Sequence, residues 1–472
     1  MSTFSSGRPR SKLPLVVVVL LLLLAALVAA GLYLRPRFES TPPQIVVSPD
    51  AEVLGAAPLE LRITDAGSGL KSVTATLSQG GAEHSLAAEQ FAQPASEKSI
   101  AVALARLPGV REGPAVLRVT AADASLFRGN QTVLEKNVTI DVTPPSLELV
   151  ADDRYVNFGG VGAIVYKASA DTVSSGVKIG GRFFRGFPGQ VKDRPDHYFA
   201  LFAHPYDTPA EARPVLVAID KAGNTRELRL AYELKNVAYR KSTIALTDGF
   251  LNDKVAPLQA DAAASQAGAK EVFVAVNRLL RKDNEERIAE ITGKATPAIL
   301  WKDAFAQLSN SKVEANFADQ RTYTYKGEAI DTAYHLGYDL SVTRNYPVEA
   351  ANAGSVAFTG DLGIYGNTVI LDHGLGLFTL YSHLSSVDVR TGEAVARRQI
   401  LGKTGETGLA AGDHLHFGVY LEGVAVLPVE WWDQKWIDDN ITPKLQGRSG
   451  QEIAEAQQPA KAARKNTGKR RR

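Results

Sequence analysis

The sequence predicts a mainly β, multidomain chain: an N-terminal membrane helix, two β-sandwiches, a helical connector and a C-terminal β domain. Three observations predict it. A single long uncharged apolar run lies near the N-terminus, two tracts of short alternating runs are separated by Gly, Asp and Pro turns, and a segment with helical apolar spacing precedes a Gly/Val/Ile-rich C-terminal part. At 472 residues and 45% hydrophobic composition the chain can bury several cores, and a scale of about 100 to 200 residues per domain gives three or four of them.

Leu13 to Leu34 is uncharged for 22 residues, and at about 1.5 Å per residue it spans the roughly 30 Å of bilayer hydrocarbon. Arg8, Arg10 and Lys12 precede it and favour a cytoplasmic N-terminus, a bias that Arg35 and Arg37 dilute. Residues 1–38 therefore read as cytoplasmic N-terminus and anchor of a single-pass protein of the inner (cytoplasmic) membrane, with the bulk periplasmic or extracellular. Val28-Ala29-Ala30 leaves a cleaved signal peptide as the alternative.

Beyond the anchor lies a weak repeat. Thr41-Pro42-Pro43 recurs as Thr143-Pro144-Pro145, 102 residues on, and Ala121-Ala122-Asp123 as Ala218-Ile219-Asp220, each of the latter followed by Gly-Asn. Short strands at this length indicate sandwiches over 39–142 and 143–239. Asp65-Ala66-Gly67-Ser68-Gly69 and Asp220-Lys221-Ala222-Gly223-Asn224 resemble turns of bacterial immunoglobulin-like domains, which implies spacers holding the C-terminal part of the chain away from the membrane.

Residues 240–320 change character. Val272, Phe273, Val276, Leu279 and Leu280 fall at helical spacing between Glu271 and Ile291, and Trp301, Phe305 and Leu308 predict a further helix. The region reads as a packed helical connector or a regulatory segment.

Five of eight histidines lie in the next part: His335, His373, His383, His414 and His416. Residues two apart on a strand share a face, so an extended Gly412 to Tyr420 projects His414 and His416 together. The alternating run Leu377 to Tyr381 predicts a second strand carrying His383 on the face of Tyr381. Gly337, between His335 and Asp339, suits a backbone that bends to bring an imidazole and a carboxylate onto one ion. Neutral imidazoles and a carboxylate are zinc donors, and a catalytic zinc takes three protein ligands and keeps one position for water. His373, in Asp372-His373-Gly374-Leu375-Gly376, reads instead as a structural turn residue, and His84, His197 and His204 lie outside any metal-like spacing.

With His335-Leu336-Gly337-Tyr338-Asp339, Tyr365-Gly366-Asn367, Asp372-His373-Gly374, Tyr381-Ser382-His383-Leu384 and His414-Leu415-His416-Phe417 in place, residues from about 326 to 430 resemble a lysostaphin/LytM-type peptidoglycan endopeptidase domain. The resemblance implies a compact antiparallel β domain, here 321–445, with Zn2+ held by His335, Asp339 and His416 and with His383 and His414 as the catalytic pair that does not bind metal. It also implies peptidoglycan stem peptides as substrate, and it leaves open which histidine is the base. The bond cut is open too: a D-alanyl to diaminopimelyl link in a Gram-negative wall, or a glycine bridge in some Gram-positive walls. The rival reading is a non-catalytic LytM-like activator of wall amidases, for which cell-wall regulatory proteins are partners. Such relatives characteristically lack ligands or catalytic histidines, whereas this chain keeps all five.

Composition excludes other classes. With no cysteine, disulfides, thiolate metal sites and lipid attachment through cysteine are impossible. The formal charge is only +2, and basic residues concentrate at the two ends. The segment 446–472, ending Lys469-Arg470-Arg471-Arg472, reads as a disordered basic tail, and no nucleic-acid recognition module accompanies it. Gly402-Lys403-Thr404 imitates a phosphate loop, but Arg397 stands where its first glycine belongs.

Overall fold

The computed structural model describes residues 13–126, 129–236, 238–258 and 268–457. Most of the expected basic tail and the residues before Leu13 lie outside these. The apolar run is a helix, Leu13–Leu34, whose 18-residue window Val17–Leu34 has a mean hydropathy of 2.9 and buries nothing within the protein. The rest is mainly β and divides into two compact units: residues up to 144 with 220–224, and 145–219 with 225–472.

In the first unit a three-stranded sheet (Gln44–Ser48, Leu59–Thr64, Glu97–Val102) and a five-stranded sheet (Val53–Leu54, Gln131–Ile140, Gly113–Asp123, Leu70–Gln79, Ala82–Ala95) share one core. The two-residue alternation produces it. Leu59, Leu61 and Ile63 face inward between exposed Glu60 and Arg62, and Leu117, Val119 and Ala121 do the same opposite them.

The second unit is built on the C-terminal antiparallel sheet. Its strand order is Lys312–Ala315, Tyr338–Ser341, Leu415–Leu421, Leu377–Ser382, Asn367–Asp372, Gly354–Asp361 and Ala394–Val395, with Val424–Val426 also beside Leu415–Leu421. The central strands are buried along their whole length because both faces are covered. One face, with Tyr381, Phe417 and Val419, shares a core with a seven-stranded sheet spanning Leu147–Ala151 to Thr225–Arg229. The other, with Phe378, Leu380 and Tyr420, is covered by the connector. Polar ties accompany this burial: Arg185 holds Glu422 with both nitrogens of its fork, at 3.1 and 2.9 Å, and Lys444 forms a buried ion pair with Asp153.

The connector is helical over only part of 240–320. Lys241–Leu246 is a strand, paired in parallel with Gln320–Tyr325, and helix occupies Asp248–Phe250 to Ala256–Leu258 and, without a break, Ala269–Ala275 to Arg281–Thr292. Val272, Phe273 and Val276 are buried as expected, but Leu279 is 66% exposed. The wider π turn of Val276–Leu280 advances the phase of the helix, so Asn277 takes the inward position and donates to Asp331 at 2.9 Å. The helix expected through Trp301, Phe305 and Leu308 is absent. Asp303 and Asn310 have left-handed φ of 58°, and the N–H groups of Leu300, Phe305 and Ala306 go to His373, Trp431 and Ala351 instead of the preceding turn. Trp301 and Phe305 are buried all the same, edge-on to Trp431 at 5.6 and 5.5 Å.

The segment expected to be disordered from 446 opens with a helix, Gly450–Ala456, started by a capping box between Ser449 and Glu452 and anchored by buried Ile453.

Candidate active site

His335 follows the strand Glu328–Tyr334, Asp339 lies in Tyr338–Ser341 and His416 in Leu415–Leu421; the last two strands pair with Asp339 directly opposite His416. That register brings three donor atoms together. His335 Nε2 is 2.9 Å from Asp339 Oδ1 and 3.0 Å from His416 Nδ1, which is 3.0 Å from the same carboxylate oxygen. His414 Nε2 stands 3.4 Å from Asp339 Oδ1, and the His383 ring lies 4.9 Å from that of His414 and 5.8 Å from that of His416. All five expected residues thus share one centre, and His373 is not among them. It is buried beneath the sheet between Ala353 O and Thr379 Oγ1, both at 2.7 Å, and burial pushes its pKa down to about 4.

Backbone carbonyls orient three of the rings. Asn316 O, Thr407 O and Gly412 O lie 2.9, 2.8 and 2.8 Å from Nδ1 of His335, His383 and His414. A carbonyl only accepts, so each Nδ1 carries a proton and each Nε2 is the nitrogen turned away from that carbonyl. His416 is turned the other way: Nδ1 faces the cluster, and Nε2 is buried without a partner, the ring edge-on to Tyr365 at 5.6 Å.

One expectation about local geometry is corrected. His383 does not share the face of Tyr381, whose ring enters the core against Phe417. The strand ends at Ser382, and His383 takes a left-handed φ of 63° that turns its side chain out of the strand alternation and into the cleft. Gly337 does stand at a bend, as expected, though without a left-handed φ. It supplies room, because a Cβ there would lie 2.6 Å from Phe417 O and 2.7 Å from His416 Nε2.

The electrostatics follow from burial and this packing. Burial alone would raise Asp339, but the histidines, His335 foremost, hold it well below the usual carboxylate range. Burial pushes His416 down to about 4, and burial with the neighbouring His414 and His416 lowers His383 well below the ordinary histidine value. Burial lowers His414, but Asp339, through both its hydrogen bond and its charge, together with Gly412 O raises it above the ordinary histidine value.

The centre forms the floor of a cleft of about 740 Å³. Its opposite wall is the connector, through Ile244, Leu246, Phe250, Lys254 and Phe273. Lys254 Nζ donates to Glu406 O at 2.9 Å across the rim. Sequence reasoning did not single out Arg321, whose Nη2 lies 3.0 Å from Asp339 Oδ2; a lone arginine on an alternating strand carries no motif.

Two imidazole nitrogens and a carboxylate oxygen lie within 4.8 Å of one another, a donor set able to hold a metal ion of the zinc type, and two further imidazoles stand beside them. Residues 333–428 match Peptidase family M23, so the chain carries an M23 domain near its C-terminus. DD-carboxypeptidase/endopeptidase Mpg of Neisseria meningitidis is 38% identical over 95 residues, 20% of this chain and 22% of the relative. Peptidoglycan DD-endopeptidase ShyA of Vibrio cholerae is 32% identical over 115 residues, 24% of this chain and 26% of the relative. The chain therefore matches about a quarter or less of the length of these curated relatives. Among solved structures, the catalytic domain of lysostaphin from Staphylococcus simulans aligns at 27% identity and a TM-score of 0.22, covering 26% of this chain and 92% of that one.

Proposed function

We propose that the protein is a membrane-anchored zinc metalloendopeptidase that hydrolyses peptide cross-links of peptidoglycan. The observation that carries this reading is the convergence of His335 Nε2, Asp339 Oδ1 and His416 Nδ1 on one point beside His383 and His414. His335, Asp339 and His416 would hold Zn2+. Bound there, zinc supplies Lewis acidity that lowers the pKa of water to about 7 and polarises the scissile carbonyl. The chain's own residues do the rest. His383 and His414, each with Nδ1 fixed on a carbonyl, present Nε2 to the cleft, one to take the proton of the attacking water and the other to stabilise charge on the carbonyl oxygen or protonate the leaving amine.

The relatives' names support a cell-wall substrate, and the apolar Leu13–Leu34 helix supports an anchor in the inner membrane with the rest of the chain outside it. The two-sheet module of the first unit serves as an immunoglobulin-like spacer, while the strands of 147–229 share the core of the C-terminal sheet. The connector wall of the cleft supports a regulatory role for 240–320, in which the Asp248–Leu258 segment limits access to the centre.

Purified full-length protein in detergent, loaded with zinc, should release uncrosslinked muropeptides from isolated sacculi, identified by mass spectrometry. Sacculi left intact at full zinc occupancy, together with stimulation of an added wall amidase, would support the activator reading instead.

A further inference from the structure

We propose that Arg321 is a positioning residue that makes Asp339 a one-oxygen metal ligand and so sets the metal affinity of the centre. The inference rests on the proposed zinc centre. The two oxygens of Asp339 have divided tasks. Oδ1 faces His335, His416 and His414 at 2.9, 3.0 and 3.4 Å, whereas Oδ2 accepts from Arg321 Nη2 at 3.0 Å. A carboxylate free to rotate can offer both oxygens to a cation. One pinned by a charge-assisted bond offers only the other, and leaves a coordination position for water.

Arg321 is itself held. Its side chain is 19% exposed, and its strand, Gln320–Tyr325, pairs with Lys241–Leu246 on one side and Glu328–Tyr334 on the other, Arg321 opposite Ser242 and Ala333. Behind it Asp319 Oδ2 lies 3.9 Å from Arg321 Nε and accepts from Ser242 Oγ at 2.8 Å. The same Asp319 receives the backbone N–H of His335 on its carbonyl at 3.0 Å. A polar chain therefore runs from Ser242 in the connector through Asp319 and Arg321 to the carboxylate at the centre. Arg321 and its two supports precede the residues matched to the peptidase family, 333–428, so this tie to the centre comes from the connector side of the chain.

The test is zinc affinity by chelator competition on the full-length protein, together with the visible spectrum of the cobalt-substituted form, which reports coordination geometry independently of turnover. Arg321→Ala is expected to weaken zinc about 10- to 100-fold and to change the cobalt bands. Arg321→Lys, which restores a point charge without the planar fork, is expected to recover part of the affinity and keep an altered spectrum. Should Arg321→Ala fail to fold, Arg321→Lys decides. Wild-type affinity and spectrum in the folded variants, with only a lowered melting temperature, would overturn the proposal and leave a structural ion pair. His335→Ala and His416→Ala run in parallel separate the two readings: if they too bind zinc normally, it is the zinc centre that fails and not merely the role of Arg321.

Discussion

Gly337→Ala tests the geometry of the centre with one methyl group. The backbone at Gly337 is not left-handed, so alanine meets no conformational penalty there, and the whole effect is steric. The new Cβ would stand 2.6 Å from Phe417 O and 2.7 and 2.8 Å from His416 Nε2 and Cε1. Phe417 O belongs to a backbone fixed by pairing with Tyr338, so the imidazole is the softer neighbour and must give by several tenths of an ångström. Overpacking of this kind costs about 1 to 3 kcal/mol, which a domain of this size survives. A misplacement approaching 1 Å at a catalytic centre costs on the order of 10²-fold in rate. The variant should therefore melt a few degrees lower yet lose most of its zinc on dialysis and about two orders of magnitude in hydrolysis of a cross-linked muropeptide. Gly249→Ala is the control, since Gly249 lines the same cleft with nothing within 4 Å of its added Cβ; it should leave both quantities unchanged. Full zinc content and normal turnover in Gly337→Ala would refute the placement of His416 on which the metal assignment depends.

Other outcomes are open to direct measurement. His335→Ala, Asp339→Ala and His416→Ala should lower both metal content and hydrolysis, while His383→Ala and His414→Ala should keep near-stoichiometric zinc and lose roughly 10²- to 10⁴-fold in turnover; loss of zinc in His414→Ala with retention in His416→Ala would break the assignment. Glu430 is buried between the side-chain amide of Asn157 and the Val161 N–H, and burial pushes its carboxyl up to about 8. The folded state then binds a proton the unfolded state releases, so this contribution to stability is complete below about pH 4.5 and is lost as pH rises to about 8, at roughly 1.4 kcal/mol per pH unit. Urea midpoints at pH 5.5 and 8.5 should therefore fall more steeply for the wild type than for Glu430→Gln, and parallel curves would contradict the raised value. Lys254→Ala removes the tie to Glu406 and should speed hydrolysis several-fold at equal zinc occupancy if the connector restricts the cleft; equal rates would leave the connector a purely structural element.

The centre was legible in the sequence because zinc chemistry restricts donors to few residue types at few spacings, and H-x-G-x-D with H-x-H met those restrictions. What brings the five side chains together was less so. Strand alternation places His416 correctly but misplaces His383, because a left-handed residue after Ser382 is invisible to a count of two. The helical pattern placed Phe273 and Val276 but failed at Leu279, where a π turn inserts a shift of phase. Trp301 and Phe305 reached the core without the helix their spacing suggested, since burial demands only a partner surface and not a period. Arg321 escaped because an ion pair to a single carboxylate leaves no trace in spacing.

The central strands of the C-terminal sheet have no face turned to water: the strands of 147–229 cover one side and the connector helices the other. Such a sheet cannot be cut free at 239 or at 320 without laying bare an apolar surface on whichever side is lost. Its energetics are accordingly collective. From residue 145 onward the chain should lose structure in one cooperative transition, with amide hydrogens of the Phe199 strand exchanging as slowly as those beside His416. A destabilising change far from the cleft, such as a cavity at Phe199, is then felt as lost peptidase through the folded population, although no atom near the imidazoles has moved.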